Sequence, residues 1–110
     1  MLPKKERLKR VAFNQFFSCG KRYHSPSYQL IYSAHDTFHA SVVVSKKIEK
    51  EAVQRNKMRR RVYDILRNLH KESPLSGIFI ILTKKTTRTA SYEAIKTEAR
   101  SLITQTKKVR

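Results

Sequence analysis

The sequence predicts a single α/β sandwich domain over residues 1–110, with elements in the order α-β-β-α-β-α around a small central sheet. Three observations predict it. Residues 50–70 and 92–106 repeat their apolar positions at helical spacing. Residues 37–45 alternate apolar and polar side chains, the period of a half-buried strand. Residues 77–83 are apolar without alternation, as in a strand buried on both faces.

The first helix is expected from about Arg7 to Cys19, with Gly20 as its stop. Leu8, Val11, Ala12 and Phe16 form one stripe, and Phe13 and Phe17 a second beside it. The apolar arc is therefore wider than one packing face requires. Ser25-Pro26-Ser27 reads as a turn into a strand over 28–34. Asp36-Thr37 is a tight link to the next strand, and the two strands are expected to pair as a hairpin. In that next strand Phe38, Ala40, Val42 and Val44 face one way, and His39, Ser41, Val43 and Ser45 the other. The second helix, about Lys50 to His70, buries Met58, Val62, Ile65, Leu66 and Leu69 and stops at Ser73-Pro74. Gly77 to Thr83 is the last strand. Ser91 caps the last helix, whose inward positions are Tyr92, Ile95, Ala99, Leu102 and Ile103. The first several residues and Lys107 to Arg110 are expected to fray.

Lysine plus arginine is 25 and aspartate plus glutamate is 8, a formal net charge of +17. Such a charge repels itself and calls for an anionic partner, with nucleic acid ahead of an anionic membrane surface. Two glycines, Gly20 and Gly77, exclude a dinucleotide fingerprint and a P-loop. The longest apolar run, Ile78 to Leu82, is too short to span a bilayer. Met1-Leu2-Pro3-Lys4-Lys5 has no apolar core of a secretory signal behind it. The single cysteine, Cys19, makes neither an internal disulfide nor a zinc site; it reads as a free, partly buried thiol in a reducing cytoplasm.

The charge is clustered. Residues 4–10 hold Lys4, Lys5, Arg7, Lys9 and Arg10 against Glu6. Residues 46–61 hold eight basic residues against Glu49 and Glu51. On the second helix Arg55 and Arg59 sit one turn apart, with Asn56 and Arg60 in a parallel row, beside the Met58/Val62 stripe. Guanidinium forks match phosphate oxygens, and crowding them on one helix is unfavourable unless an anion relieves it.

These residues resemble a family. Lys46-Lys47, followed by Ala52-x-x-Arg55-Asn56-x-x-Arg59-Arg60, is similar to the RNR motif of the protein subunit of bacterial ribonuclease P. Arg7-Leu8-Lys9 with Phe13, Phe17 and Gly20 is similar to that family's first helix, and the later elements follow in its order. Met58, Lys57, Tyr63, His39 and Ser41 depart from its usual residues. The resemblance implies a left-handed β-α-β crossover over residues 37–83, against the right-handed rule. It implies a catalytic RNA carrying Mg2+, with no catalytic residue, metal or cofactor on the protein. Lys46, Lys47, Arg55, Asn56, Lys57, Arg59 and Arg60 would hold that RNA. Phe13, Phe17 and Tyr32 would line a cleft for the 5′ leader of precursor tRNA. The protein is then cytoplasmic, without a membrane partner, and monomeric in a 1:1 complex with the RNA. The residues agree on one point: a spare phenylalanine stripe beside a sheet face is suited to stacking unpaired bases.

Three rival readings fit the sequence less well. A ribonuclease using two of His24, His35 and His39 lacks any spacing that fixes a pair. Asp36 and Asp64 are isolated, and Glu49 and Glu51 lie on different helix faces, so acidic metal ligands are missing as well. A ribosomal or other structural RNA-binding protein shares the size and charge but needs neither the Arg-Asn motif nor the cleft. A DNA-binding module fits worse, since no helix-turn-helix pair is visible.

Overall fold

A computed structural model describes residues 8–84 and 90–108. The elements are α1 (Arg10–Cys19), β1 (Lys21–His24), β2 (Tyr28–Ser33), β3 (Phe38–Val43), α2 (Ala52–Glu72), β4 (Gly77–Thr83) and α3 (Tyr92–Lys108). The strands form one sheet in the order β1-β2-β4-β3. β1 with β2 and β2 with β4 are antiparallel, while β3 with β4 is parallel and spanned by α2. One helix lies on one face and two on the other. α1 packs over Ile31, Ile78 and Ile80, whereas α2 and α3 cover the larger core built on Leu30, Phe79 and Ile81.

The expected hairpin of β2 with β3 does not form. β4 lies between them, and the hairpin of the fold is β1–β2. β4 carries an unbroken apolar sequence and is buried along nearly its whole length, so it takes an interior position. β3 shows alternate burial and sits at the edge. Lys21 to His24 forms a strand that the sequence pattern does not mark, because it is short and basic; three of its four positions are exposed. That adds one strand, making the order α-β-β-β-α-β-α.

Register places each side chain on a face. Toward α1 run the rungs Arg22–Ile31–Ile80–Ser41 and His24–Gln29–Leu82–Val43. Toward α2 and α3 run Lys21–Tyr32–Phe79–Ala40 and Tyr23–Leu30–Ile81–Val42. The buried stripes of α2 and β3 are as the periodicity predicts, and Ser91 Oγ accepts from the Ala94 amide at 3.2 Å as an N-cap. Two inward assignments fail: Val11 is 82% exposed, and Tyr92 is 38% exposed at the outer start of α3. Cys19 is exposed rather than partly buried. α3 extends as helix to Lys108. Lys4, Lys5 and Arg7 of the basic N-terminal cluster, with Val109 and Arg110, lie outside the described residues.

The two glycines make room rather than turns of one kind. Gly20 ends α1 with extended dihedrals (φ −72°, ψ 154°) and donates to the Phe16 carbonyl at 2.9 Å. A Cβ there would collide with the Ile31 side chain beneath α1. Gly77 has φ +125°, and a Cβ would lie 2.6 Å from the Tyr32 ring. Two side-chain contacts fix the layers. The Tyr63 hydroxyl accepts from the Val42 amide at 3.0 Å, tying α2 to the free side of β3. Glu98 of α3 accepts from the Ser27 amide (2.9 Å) and hydroxyl (2.6 Å), holding the turn before β2. Burial, with Glu98 nearby, pushes the Tyr28 phenol above its ordinary range.

Tyr63→Phe leaves the buried Val42 amide unsatisfied and is expected to cost about 1–3 kcal/mol in urea unfolding, with an unchanged m-value. A variant as stable as the parent would show that this contact does not hold α2 on the sheet.

Candidate nucleic-acid interface

The basic surface starts where β3 ends. Lys46 and Lys47 sit exposed in a turn closed by the Ile48 and Glu49 amides on the Ser45 carbonyl, each at 3.1 Å. α2 then begins at Ala52 with no acidic residue in its first turn. The acidic groups at this end are the N-cap Glu51 and Glu49, whose carboxylate accepts from the Glu51 amide at 3.2 Å, ahead of the arginine-rich turns.

The motif residues divide into two groups. Arg55 is half-buried, and its Nη1 donates to the Glu49 (3.1 Å) and Lys50 (2.7 Å) carbonyls. It braces the segment entering α2. Arg59 is half-buried and donates to the Asn56 side-chain oxygen. Arg55, Arg59 and Tyr63 follow at i, i+4, i+8, so this row runs toward the β3 edge that Tyr63 contacts. Asn56, Lys57, Arg60 and Arg61 are exposed. The expectation of a single presented guanidinium row is therefore refined. Lys57 and Arg60 offer charge outward, whereas Arg55 and Arg59 are oriented by hydrogen bonds within the chain. Sequence spacing could not separate the two groups, because the carbonyls that bind Arg55 belong to the irregular segment ahead of the helix.

The second candidate site lies across the sheet. Phe13 and Phe17 stack at 5.6 Å between ring centroids with planes 25° apart, and both are half-buried over Ile31, Ile78 and Ile80. Tyr32 does not join them. It faces the opposite side of the sheet, against Phe79 at 5.2 Å. The β2 residue beneath the phenylalanines is Ile31. Side chains alternate along a strand, so a shift of one position exchanges the faces. Sequence reasoning also missed Arg22. Its guanidinium lies 5.2 Å over the Phe17 ring, and its Nη2 donates to the Phe17 carbonyl at 3.2 Å. The signal was hidden because Arg22 reaches this face only through β1.

The histidines do form one pair. His35 and His39 have ring centroids 5.3 Å apart, and both bond the Thr37 hydroxyl, at 3.2 and 2.8 Å. His35 Nδ1 also accepts from the Thr37 amide at 3.2 Å, so these rings are engaged in shaping the turn before β3. Among the described residues, no three His, Cys, Asp or Glu residues gather as a metal-ligand group, and no helix is long and apolar enough to cross a membrane.

The architecture matches known folds. The chain superposes on the Staphylococcus aureus RNase P protein with a TM-score of 0.81 at 21% identity, covering 93% of this chain and 95% of that one. A mutant of the Staphylococcus aureus protein with defective mRNA degradation activity gives 0.83 at 22% identity, covering 94% and 90%. The Thermotoga maritima RNase P protein gives 0.81 at 21% identity, covering 91% and 96%. These likenesses establish the fold. No curated protein matches. The Ribonuclease P family model matches residues 2–107, nearly the whole chain, and so the chain belongs to the Ribonuclease P family as a protein subunit.

Proposed function

We propose that this chain binds the catalytic RNA of ribonuclease P through the N-terminal half of α2 and the 5′ leader of precursor tRNA in the cleft under α1. The RNA, with its Mg2+, carries out the cleavage, and the protein supplies binding energy. The supporting observation is the division of the motif. Arg55 and Arg59 are held by the chain's own carbonyls and amide, so Lys46, Lys47, Asn56, Lys57 and Arg60 are presented on an ordered, net-positive surface. The stacked Phe13/Phe17 pair, with Arg22 over it, suits unpaired bases of any sequence, as a variable leader demands. One protein per RNA, a cytoplasmic location and the left-handed sense of the β3-α2-β4 crossover complete this reading. The ribosomal-protein alternative is not favoured by the family match.

Reconstitution tests it directly. Protein mixed with a bacterial ribonuclease P RNA and precursor tRNA at low Mg2+ is expected to give leader cleavage that neither gives alone. Cleavage by the protein without RNA, or no stimulation of the RNA, would overturn the proposal. Arg60→Ala is expected to weaken binding to the RNA and lower the log–log salt slope by about 0.7–0.9, with stability changed by less than about 0.5 kcal/mol. Arg55→Ala, by contrast, is expected to lose about 1–2 kcal/mol of folding stability as well as affinity. Equal unfolding midpoints for the two variants would refute the bracing role of Arg55. Phe17→Ala is expected to reduce affinity for leader-bearing precursor tRNA about tenfold while sparing mature tRNA. Equal losses for both tRNAs would sink the cleft assignment.

A further inference from the structure

The face of the sheet away from Phe13 and Phe17 is incompletely covered. At its β1 edge remains a half-open pocket of about 400 Å³, lined by Cys19, Lys21, Tyr23, Tyr32, Ser33 and Thr106 among others. Its volume is that of a small-ligand site. Three features give it chemical character. Lys21 and Tyr32 are cross-strand partners, and Tyr23 stands two residues along β1 on the same face, so the two phenol rings are diagonal neighbours. Tyr32 is backed by Phe79 at 5.2 Å and by the bare backbone of Gly77, which fixes its ring. The Lys21 ammonium lies 5.7 Å from the centroid of the Tyr23 ring, so a cation and an aromatic face are presented together.

We propose that this pocket binds an unpaired nucleotide of RNA, its base against Tyr23 and Tyr32 and its phosphate at Lys21. Preformed aromatic walls cost little to order, and a flat base is the occupant they match. The cation selects an anionic ligand over a neutral one. The choice of a nucleotide among flat anions rests on the RNA-binding reading above. The site differs from both surfaces already described: its rings, Tyr23 and Tyr32, face away from the phenylalanine pair, only Cys19 at its wall belongs to α1, and it includes no residue of α2. The chain therefore has aromatic base-stacking surfaces on both sides of one sheet.

Cys19 is the only thiol of the chain, is exposed, and stands at the wall of the pocket, so its reactivity reports on occupancy. Alkylation of the full chain by neutral iodoacetamide, followed by mass spectrometry, is measured with pentaadenylate, adenosine 5′-monophosphate or inorganic phosphate. Pentaadenylate at saturation, and the mononucleotide at higher concentration, are expected to slow alkylation at least about fivefold; phosphate alone is not. Lys21→Ala, an exposed substitution, and Tyr23→Leu are expected to raise the concentration needed for protection at least about fivefold. Phe17→Ala is expected to keep it. Three results would each overturn the proposal: no slowing by pentaadenylate, equal slowing by phosphate, or protection lost in Phe17→Ala but kept in Lys21→Ala. Affinity of the parent chain for the ribonuclease P RNA is measured in parallel. A parent chain that binds this RNA while its Cys19 gains no nucleotide protection would reject this pocket and leave the α2 interface standing.

Discussion

β4 has to be buried on both faces, and most of the architecture follows from that requirement. A strand of sequence Gly-Ile-Phe-Ile-Ile-Leu-Thr at an edge would expose a ladder of unpaired amides next to apolar side chains. Inside the sheet it is flanked by β2 and β3 and covered by helices on both faces. Because β3 joins it in parallel, the connection between them must travel the length of the sheet, and α2 provides it. A helix of 21 residues used this way needs only one apolar stripe, which leaves its other sides free to carry charge.

That freedom explains how so basic a helix folds. The apolar stripe from Met58 to Leu69 attaches α2 to the core, and Tyr63 adds a directional bond to β3. Within the arginine-rich turns the repulsion is partly absorbed by the chain itself. Arg55 is bonded to two carbonyls and Arg59 to Asn56, so these guanidinium groups are fixed in place. The exposed cations beside them, Lys57, Arg60 and Arg61, outnumber the acidic residues at the helix start, Glu49 and Glu51. The apolar stripe that docks α2 and its exposed cations therefore occupy different sides of the same element.

The sheet separates chemistry in a similar way. Strand parity sends Ile31 under the phenylalanines and Tyr32 to the other side, so two adjacent residues of β2 serve different surfaces. Gly20 and Gly77 allow the close approaches behind each, one under α1 and the other behind Tyr32.

Much of this was legible in the sequence. The stripe of α2, the alternation of β3, the cap at Ser91, the doubly buried β4 and the Lys-Lys and Arg-Asn residues are properties of local periodicity and side-chain chemistry, which need no partner to be read. The pairing of strands was not legible, since the Asp36-Thr37 link is compatible with a hairpin until β4 competes for the position between β2 and β3. The same reason hid β1, Arg22 and the true neighbour of the phenylalanines: a four-residue basic strand has meaning only once β2 is beside it. Which arginines point outward was settled by backbone carbonyls before α2 whose positions no helical spacing encodes. The sequence by itself determined six of the seven elements, the charge and the family motif, because these are carried by neighbours along the chain. Tertiary structure alone decided which face each side chain serves, because faces are assigned by contacts between segments far apart in sequence.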